Sequence, residues 1–156
     1  MSRKYGVASP LRYPGGKSRA VDQILKHVPA SMTEYREPFV GGGSVLLAIL
    51  GLFKTRLRRV VINDLNTDLI HFWYTARDDN AALAQAVESY RHQYAERGRD
   101  LYQLLADQER FLTPFERAVR FFIGNRITFS GVTDAGGYSQ QAFDSRFTAS
   151  SIERLR

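Results

Sequence analysis

Glu34-Tyr35-Arg36-Glu37-Pro38-Phe39-Val40-Gly41-Gly42-Gly43-Ser44-Val45-Leu46-Leu47-Ala48-Ile49 is the stretch that decides the fold. Glu34 to Val40 reads as a short strand, Gly41 to Gly43 as a tight turn, and Ser44 through Phe53 as an almost wholly apolar, buried helix. A second strand follows over Arg59 to Asn63. Its β-branched run Val60-Val61-Ile62 is short and apolar, as a parallel strand buried on both faces should be. Asp64 stands at its C-terminal tip, and the whole makes an α/β unit.

A strand that leads through glycines into a helix lets backbone approach a ligand closely and aims helix N-terminal N–H groups at it. Taken alone, Gly41 to Gly43 is equally compatible with a simple turn. An acid at the tip of the next strand, about 20 residues on, is the expected partner for ribose hydroxyls, and Asp64 fills that place. The same residue could cap a helix beginning near Asn66 or Thr67, and the two roles are compatible.

Upstream, Tyr13-Pro14-Gly15-Gly16-Lys17 forms another glycine turn. It opens onto a helix in which Ala20, Val21, Ile24, Leu25 and Val28 recur at helical spacing until Pro29 closes it. Two phosphate-binding patterns fail by position. G-x-G-x-x-G needs a third glycine where Leu46 stands, and G-x-x-x-x-G-K-[ST], although it matches Gly16-Lys17-Ser18, needs its first at Leu11.

Downstream the chain reads as helical over Leu69 to Ala76, over Ala81 to about Arg97 with Gly98 as a stop, and over Leu101 to Phe111. Gly98 is the one plausible seam. Thr113-Pro114-Phe115-Glu116 combines a capping-box Thr and Glu with Pro at the first helical position, which predicts a helix to about Gly124. Asn125 to Phe147 turns polar, glycine-rich and aromatic and reads as a long functional loop. Ser150-Ser151-Ile152-Glu153 reads as a further capping box, opening a helix cut off three residues later.

With 156 residues, 44% of them hydrophobic, the chain is long enough for one domain with its own core. It has no run of about 18 apolar residues. Met1 to Tyr5 lacks the apolar stretch of a signal peptide, so a cytoplasmic location and no membrane partner are expected. The absence of cysteine removes disulfides and thiol chemistry, and His27, His71 and His92 are too dispersed for a local metal motif. No metal is expected. A net charge of +6 favours an anionic partner such as nucleic acid, and suits an Arg-rich solvated surface as well. Arg117, Arg120 and Arg126 interleave with Phe121, Phe122, Phe129 and Tyr138, a mixture suited to phosphate contacts and to stacking near an extruded base. Phe121 and Phe122 sit in an amphipathic helix, where at least one belongs to the core.

Leu11-Arg12-Tyr13-Pro14-Gly15-Gly16-Lys17, then Glu37-Pro38-Phe39-Val40-Gly41-Gly42-Gly43-Ser44, then Asn63-Asp64-Leu65-Asn66, resembles in this order the Dam-like (D12 class) adenine-specific DNA methyltransferases. The resemblance extends through Asn125-Arg126-Ile127-Thr128-Phe129-Ser130-Gly131 and Phe147-Thr148. It implies a Rossmann-like class I methyltransferase fold, with the cofactor S-adenosylmethionine over Gly41 and Gly43 and Asp64 on its ribose. Tyr13 and Lys17 would close the methionine end, and Phe39 would pack at the cofactor; for Tyr13 and Phe39 core packing is the alternative, and for Lys17 a solvated place at the helix entry. Asn125, Arg126 and Tyr138 would contact double-stranded DNA. The implied organisation is a cofactor-binding part over 1–78, a helical insertion and target-recognition region over 79–147, and the start of a helix over 148–156.

The reactive Asp-Pro-Pro-Tyr segment of that family has no counterpart. The prolines stand singly at positions 10, 14, 29, 38 and 114, so no catalytic residue is named. The family places that segment after the recognition region, which suggests an N-terminal part of a methyltransferase, inactive alone. The sheet would then be incomplete and the strand Glu34 to Val40 left as an open edge, which predicts poor solubility, oligomerisation or pairing with a chain that supplies the missing strands. The expected function is site-specific DNA adenine-N6 methylation, as in restriction-modification. The alternative is a non-catalytic DNA- or partner-binding module from a split or decayed methyltransferase.

Overall fold

The structure, a computed structural model, describes residues 8–131 and 136–156. Met1 to Tyr5, and residues 132–135 of the expected loop, lie outside the described residues. The chain divides into two units, with the boundary between Leu65 and Asn66.

The first unit is mixed helix and strand. Strands β1 (Glu34–Glu37) and β2 (Arg59–Ile62) pair in parallel, with Glu34 opposite Arg59 and Glu37 opposite Ile62. Helix α1 (Val21–Leu25) follows a 3-10 turn at Lys17–Arg19 and stops short of Val28, and α2 (Ser44–Phe53) connects the strands. The core is Val21, Val45, Ala48 and Ile49, with Ile24, Leu25, Tyr35 and Phe53 packed around it. β1 ends at Glu37, earlier than expected, because the N–H that next reaches β2 is that of Val40 and not of Phe39, which breaks the regular register. Pairing resumes beyond it, where Val40 N–H donates to Asn63 O at 2.9 Å. β2 is not buried on both faces, since Val60 is 38% exposed. Among the described residues the sheet has two strands, so each is an edge. α2 likewise buries Val45, Leu46, Ala48 and Ile49 and leaves Leu50 and Leu52 exposed.

The second unit is helical: α3 (Thr67–Asp78), α4 (Asn80–Gln93), α5 (Gly98–Ala106), α6 (Pro114–Ile127), α7 (Gln140–Arg146) and α8 (Ala149–Glu153). α6 starts as its sequence predicts, with the Thr113 hydroxyl accepting from Glu116 N–H, the Glu116 carboxylate accepting from Thr113 N–H, and Pro114 in the first turn. It runs past Gly124 to Ile127, so Asn125 and Arg126 are helical and not in a loop. The rest of the expected loop holds α7, which Ser139 caps through Ala142 N–H. α8 is capped by Thr148 with Ser151, two residues ahead of the Ser150 start.

Gly98 begins α5 instead of stopping α4, and it is no seam. A Cβ there would lie 2.3 Å from the Tyr138 hydroxyl and 2.7 Å from the Phe143 ring, so the glycine marks close packing inside this unit. Phe72 stacks on Phe122 with centroids 5.8 Å apart and meets Phe121 at 5.9 Å, which places both α6 phenylalanines in the core.

Arg117 and Arg120 serve that core and not a phosphate surface. Asp68 on α3 accepts from Arg117 Nε at 2.6 Å and from an Arg120 terminal nitrogen at 2.7 Å, and Arg120 Nε donates to Leu105 O at 2.8 Å. Asp68 and Arg120 are buried. Burying such charges costs several kcal/mol unless they are paired, so losing one partner is far worse than never having the pair. Asp68→Ala is expected to destabilise the protein by about 3–5 kcal/mol in chemical denaturation. Asp78→Ala, which breaks the exposed pair with Arg77, should leave the stability almost unchanged. Equal effects would contradict a structural role for Asp68.

Candidate functional site

The first glycine turn has the residue pattern of a type II turn: Pro14 in second place, Gly15 in third with φ of +71°, and Gly16 N–H donating to Tyr13 O at 2.9 Å. The turn sets Lys17 at the start of its 3-10 helix. From there the ammonium donates to Phe39 O at 3.1 Å and lies 3.6 Å from Glu37 Oε1. Lys17 is therefore tethered across to the second glycine segment and is not simply solvated.

In that segment Gly41 has φ of +48° and donates its N–H to Asp64 Oδ2 at 2.9 Å. Asp64 thus ties the tip of β2 to the loop after β1. It does not cap α3; Asn66 does, its side chain accepting from Leu69 N–H at 3.1 Å. Gly43 adopts φ of +65° at the N-cap of α2. The Tyr13 ring lies so close to the loop that a Cβ on Gly41 would meet it at 3.1 Å, and a Cβ on Gly42 would stand 2.9 Å from the Tyr13 Cβ. Glycine is required here for close approach as well as for backbone angle.

These residues enclose a hollow of about 270 Å³, lined by Tyr13, Lys17, Phe39, Gly41, Gly43 and Asp64 among others. The two glycine turns and the acid thus converge on one space. Phe39 is 74% exposed at this hollow, which rules out core packing for it. Burial, then the nearby Asp64 carboxylate, raise the Tyr13 hydroxyl above its usual range, so it remains a neutral donor at physiological pH.

Sequence reasoning missed Glu37. It lines the hollow and is buried. The Tyr35 hydroxyl donates to Glu37 Oε2 at 2.9 Å, and the Lys17 ammonium lies 3.6 Å from Oε1. Burial raises its pKa above the ordinary glutamate value, while Tyr35, Lys17 and the backbone of Leu46 oppose the rise. The available signal was its position, an acid at the end of the strand that enters the glycine loop.

The three residues expected at DNA do not share one open surface. Asn125 is fully buried, and its side-chain amide donates to Gly131 O at 3.0 Å. Arg126 is 5% exposed, with its guanidinium 5.0 Å from the Phe122 ring centroid. Tyr138 is half-buried, bridges antiparallel to Thr128, and donates to Gln140 Oε1 at 2.6 Å under the Arg99 guanidinium. Phe129, 62% exposed beside the positive-φ Ser130, is more accessible than any of them. Among the described residues no cluster of His, Cys, Asp or Glu is placed to hold a metal ion, and no helix is long and apolar enough to cross a membrane.

The first unit is thus an α/β unit of parallel strand, glycine loop, helix and strand, with an acid fastening the second strand to the loop. Residues 13–155 match the model of the D12 class N6 adenine-specific DNA methyltransferases, and the chain belongs to that family. It is similar to the type II methyltransferase M.MjaIII of Methanocaldococcus jannaschii, at 27% identity over 78% of this chain and 46% of the relative. It is similar also to the DNA adenine methylase of Salmonella typhi, at 31% identity, and to that of Escherichia coli, at 30%, each over 78% of this chain and 41% of the relative. The chain thus spans less than half the length of these relatives. A methyltransferase family calls for a methyl donor.

Glu37 gives the site a pH signature. Its raised native pKa means that the folded state holds a proton which the unfolded chain releases near 4.5, so its contribution to stability is present below that value and is lost as pH rises through the native pKa. Glu37→Gln removes this contribution. The unfolding free energy of the wild type minus that of Glu37→Gln is expected to fall as pH rises from 4.5. A difference that stays flat or climbs would contradict the burial argument.

Proposed function

We propose that this chain carries the S-adenosylmethionine half-site of a site-specific DNA adenine-N6 methyltransferase, on a Rossmann-like class I fold. The observation that supports it most is the convergence of Tyr13, Lys17, Phe39, Gly41, Gly43 and Asp64 on one hollow. The lining residues fit the cofactor in shape and charge. The loop is bare of Cβ atoms where the Tyr13 ring closes it, and the hollow, at about 270 Å³, sits just under the range of about 300–1,000 Å³ usual for ligand pockets. It is thus the size of part of a nucleoside-bearing ligand.

In this reading Lys17 pairs with the cofactor's carboxylate. Asp64 holds the ribose while anchoring Gly41, and the Tyr13 and Phe39 rings flank a cationic ligand. When bound, S-adenosylmethionine supplies an electrophilic methyl group on a sulfonium centre. The chain's own residues bind and orient it. The cofactor part is 1–78, with every lining residue of the hollow between Tyr13 and Asp64.

Double-stranded DNA is the proposed substrate, met by the recognition region 79–147 through Tyr138. Asn125 and Arg126 act there from within, Asn125 by fixing the turn at Gly131. The sequence holds no Pro-Pro pair, so cofactor binding without methyl transfer is the behaviour proposed for these 156 residues alone. A second reading, a binding module that pairs with a chain carrying further strands, is favoured by the open apolar groove of about 490 Å³ between α2 and β2, lined by Leu47, Leu50, Leu57 and Val60.

Calorimetric titration with S-adenosylmethionine is expected to show saturable binding. Lys17→Ala and Asp64→Ala should each weaken it about tenfold or more, the scale of one charge-assisted hydrogen bond. No methyl label should reach adenine in duplex DNA. Absence of cofactor binding, or indifference to both substitutions, would remove the proposal.

A further inference from the structure

The positive charge of this chain is not shared between its two units. Residues 1–65 hold 11 Lys and Arg against 4 Asp and Glu, a net +7, whereas residues 66–156 hold 11 against 12, a net −1. Sequence-independent attraction to nucleic acid is almost wholly electrostatic, so the first unit is the one equipped to supply it. Its densest cluster is Lys54, Arg56, Arg58 and Arg59, four exposed cations within six residues, and the sequence has no acid between Glu37 and Asp64. The turn that carries them, between α2 and β2, is held from several sides. Leu57 packs on the core beside Val45 and Ile49, and its N–H donates to Phe53 O at 3.0 Å. Arg56 Nη1 donates to Ala30 O at 3.0 Å, and Arg58 N–H to Thr33 O at 2.8 Å. Among the described residues none of the four cations pairs with a carboxylate. Glu34, opposite Arg59 across the sheet, is taken by Arg36.

We propose that Lys54, Arg56, Arg58 and Arg59 form a contact surface for the phosphate backbone of duplex DNA, indifferent to base sequence and separate from the cofactor hollow. The proposal rests on the reading of DNA as the substrate and adds a second contact to it. Phosphate contacts of this kind attract and position a protein without reading bases, which leaves base recognition to other residues. The cluster stands at the start of β2, whereas Asp64 lies beyond the far end of that strand, about 16 Å away at the rise of an extended chain. That is about twice the Debye length at physiological salt, so charge can be removed from the cluster without disturbing the hollow. The second unit has no comparable supply. Arg117 and Arg120 are bound to Asp68, Arg77 to Asp78 and Arg110 to Asp107.

The test measures binding of the 156-residue chain to a fluorescent duplex of random sequence over a series of salt concentrations. Replacing two arginines together, Arg58→Gln with Arg59→Gln, is expected to weaken binding about tenfold or more and to make the slope of log K against log salt shallower by about 2. Binding of S-adenosylmethionine should not change. A control pair that removes the same charge from the second unit, Arg77→Gln with Arg110→Gln, should leave the slope as it is, and Arg58→Lys with Arg59→Lys should retain it. A slope equal in the two glutamine pairs would overturn the proposal, since the attraction would then follow net charge and not this surface. On the wild type, saturating duplex should protect Lys54 from acetylation; an unprotected Lys54 would overturn the proposal even if the glutamine pair failed to fold. So would polyglutamate that bound and protected Lys54 where duplex did not, which would assign the surface to an acidic protein. A wild type that bound no duplex even at low salt would sink the reading of DNA as the substrate, and this contact with it.

Discussion

The hydrogen bond from Gly41 N–H to Asp64 Oδ2, 2.9 Å long, is the clamp on which the first unit's site depends. Parallel pairing of β1 and β2 brings the two strand tips to the same end of the sheet, and Asn63 N–H donating to Glu37 O at 2.9 Å carries the register past the strands proper. The clamp then fixes a loop that would otherwise be free to choose among glycine conformations. With Gly41 held at positive φ, the Tyr13 ring can rest on the loop, and Tyr13 in turn positions the Pro14-Gly15 turn that delivers Lys17. Each step requires the one before it. The hollow is therefore a consequence of strand register and of two glycine turns, and no large core is needed to hold it.

Two carboxylates, one buried and one clamped, face a single ammonium that is itself tied to a backbone carbonyl. The second unit uses its charges differently. Asp68 consumes two arginines that a basic composition would assign to nucleic acid, so the net charge of +6 overstates the cations available to a phosphate surface. Of the three residues expected at DNA only Tyr138 keeps part of its surface open, near the exposed Phe129, while Asn125 and Arg126 are buried.

What could be read in the sequence was what short-range chemistry determines. The glycine turns, the apolar α2, the Val60-Val61-Ile62 strand and the Thr113 capping box depend on residues within a turn or two of each other, and the structure has all of them. The convergence of Tyr13, Lys17 and Asp64 was legible only through the order of motifs, since nothing local links positions so far apart. What escaped depends on distant partners. Asn125 looks like a loop residue because polar and glycine residues surround it, yet Gly131 and the aromatic core keep it inside α6. Gly98 looks like a breaker until Tyr138 and Phe143 are placed against it. Glu37 was in view throughout, but its place in the site appears only when Tyr35 and Lys17 are seen to meet on its carboxylate.

Glycine amides resonate in a distinct region of the amide correlation spectrum, which makes the loop its own reporter. Addition of S-adenosylmethionine to the isotope-labelled chain is predicted to shift the amides of Gly15, Gly16, Gly41, Gly42 and Gly43, while Gly51 on α2 and the buried Gly98 and Gly124 of the helical unit stay in place. Shifts centred on Gly98 and Gly124, or a spectrum unmoved at saturating cofactor, would contradict the account.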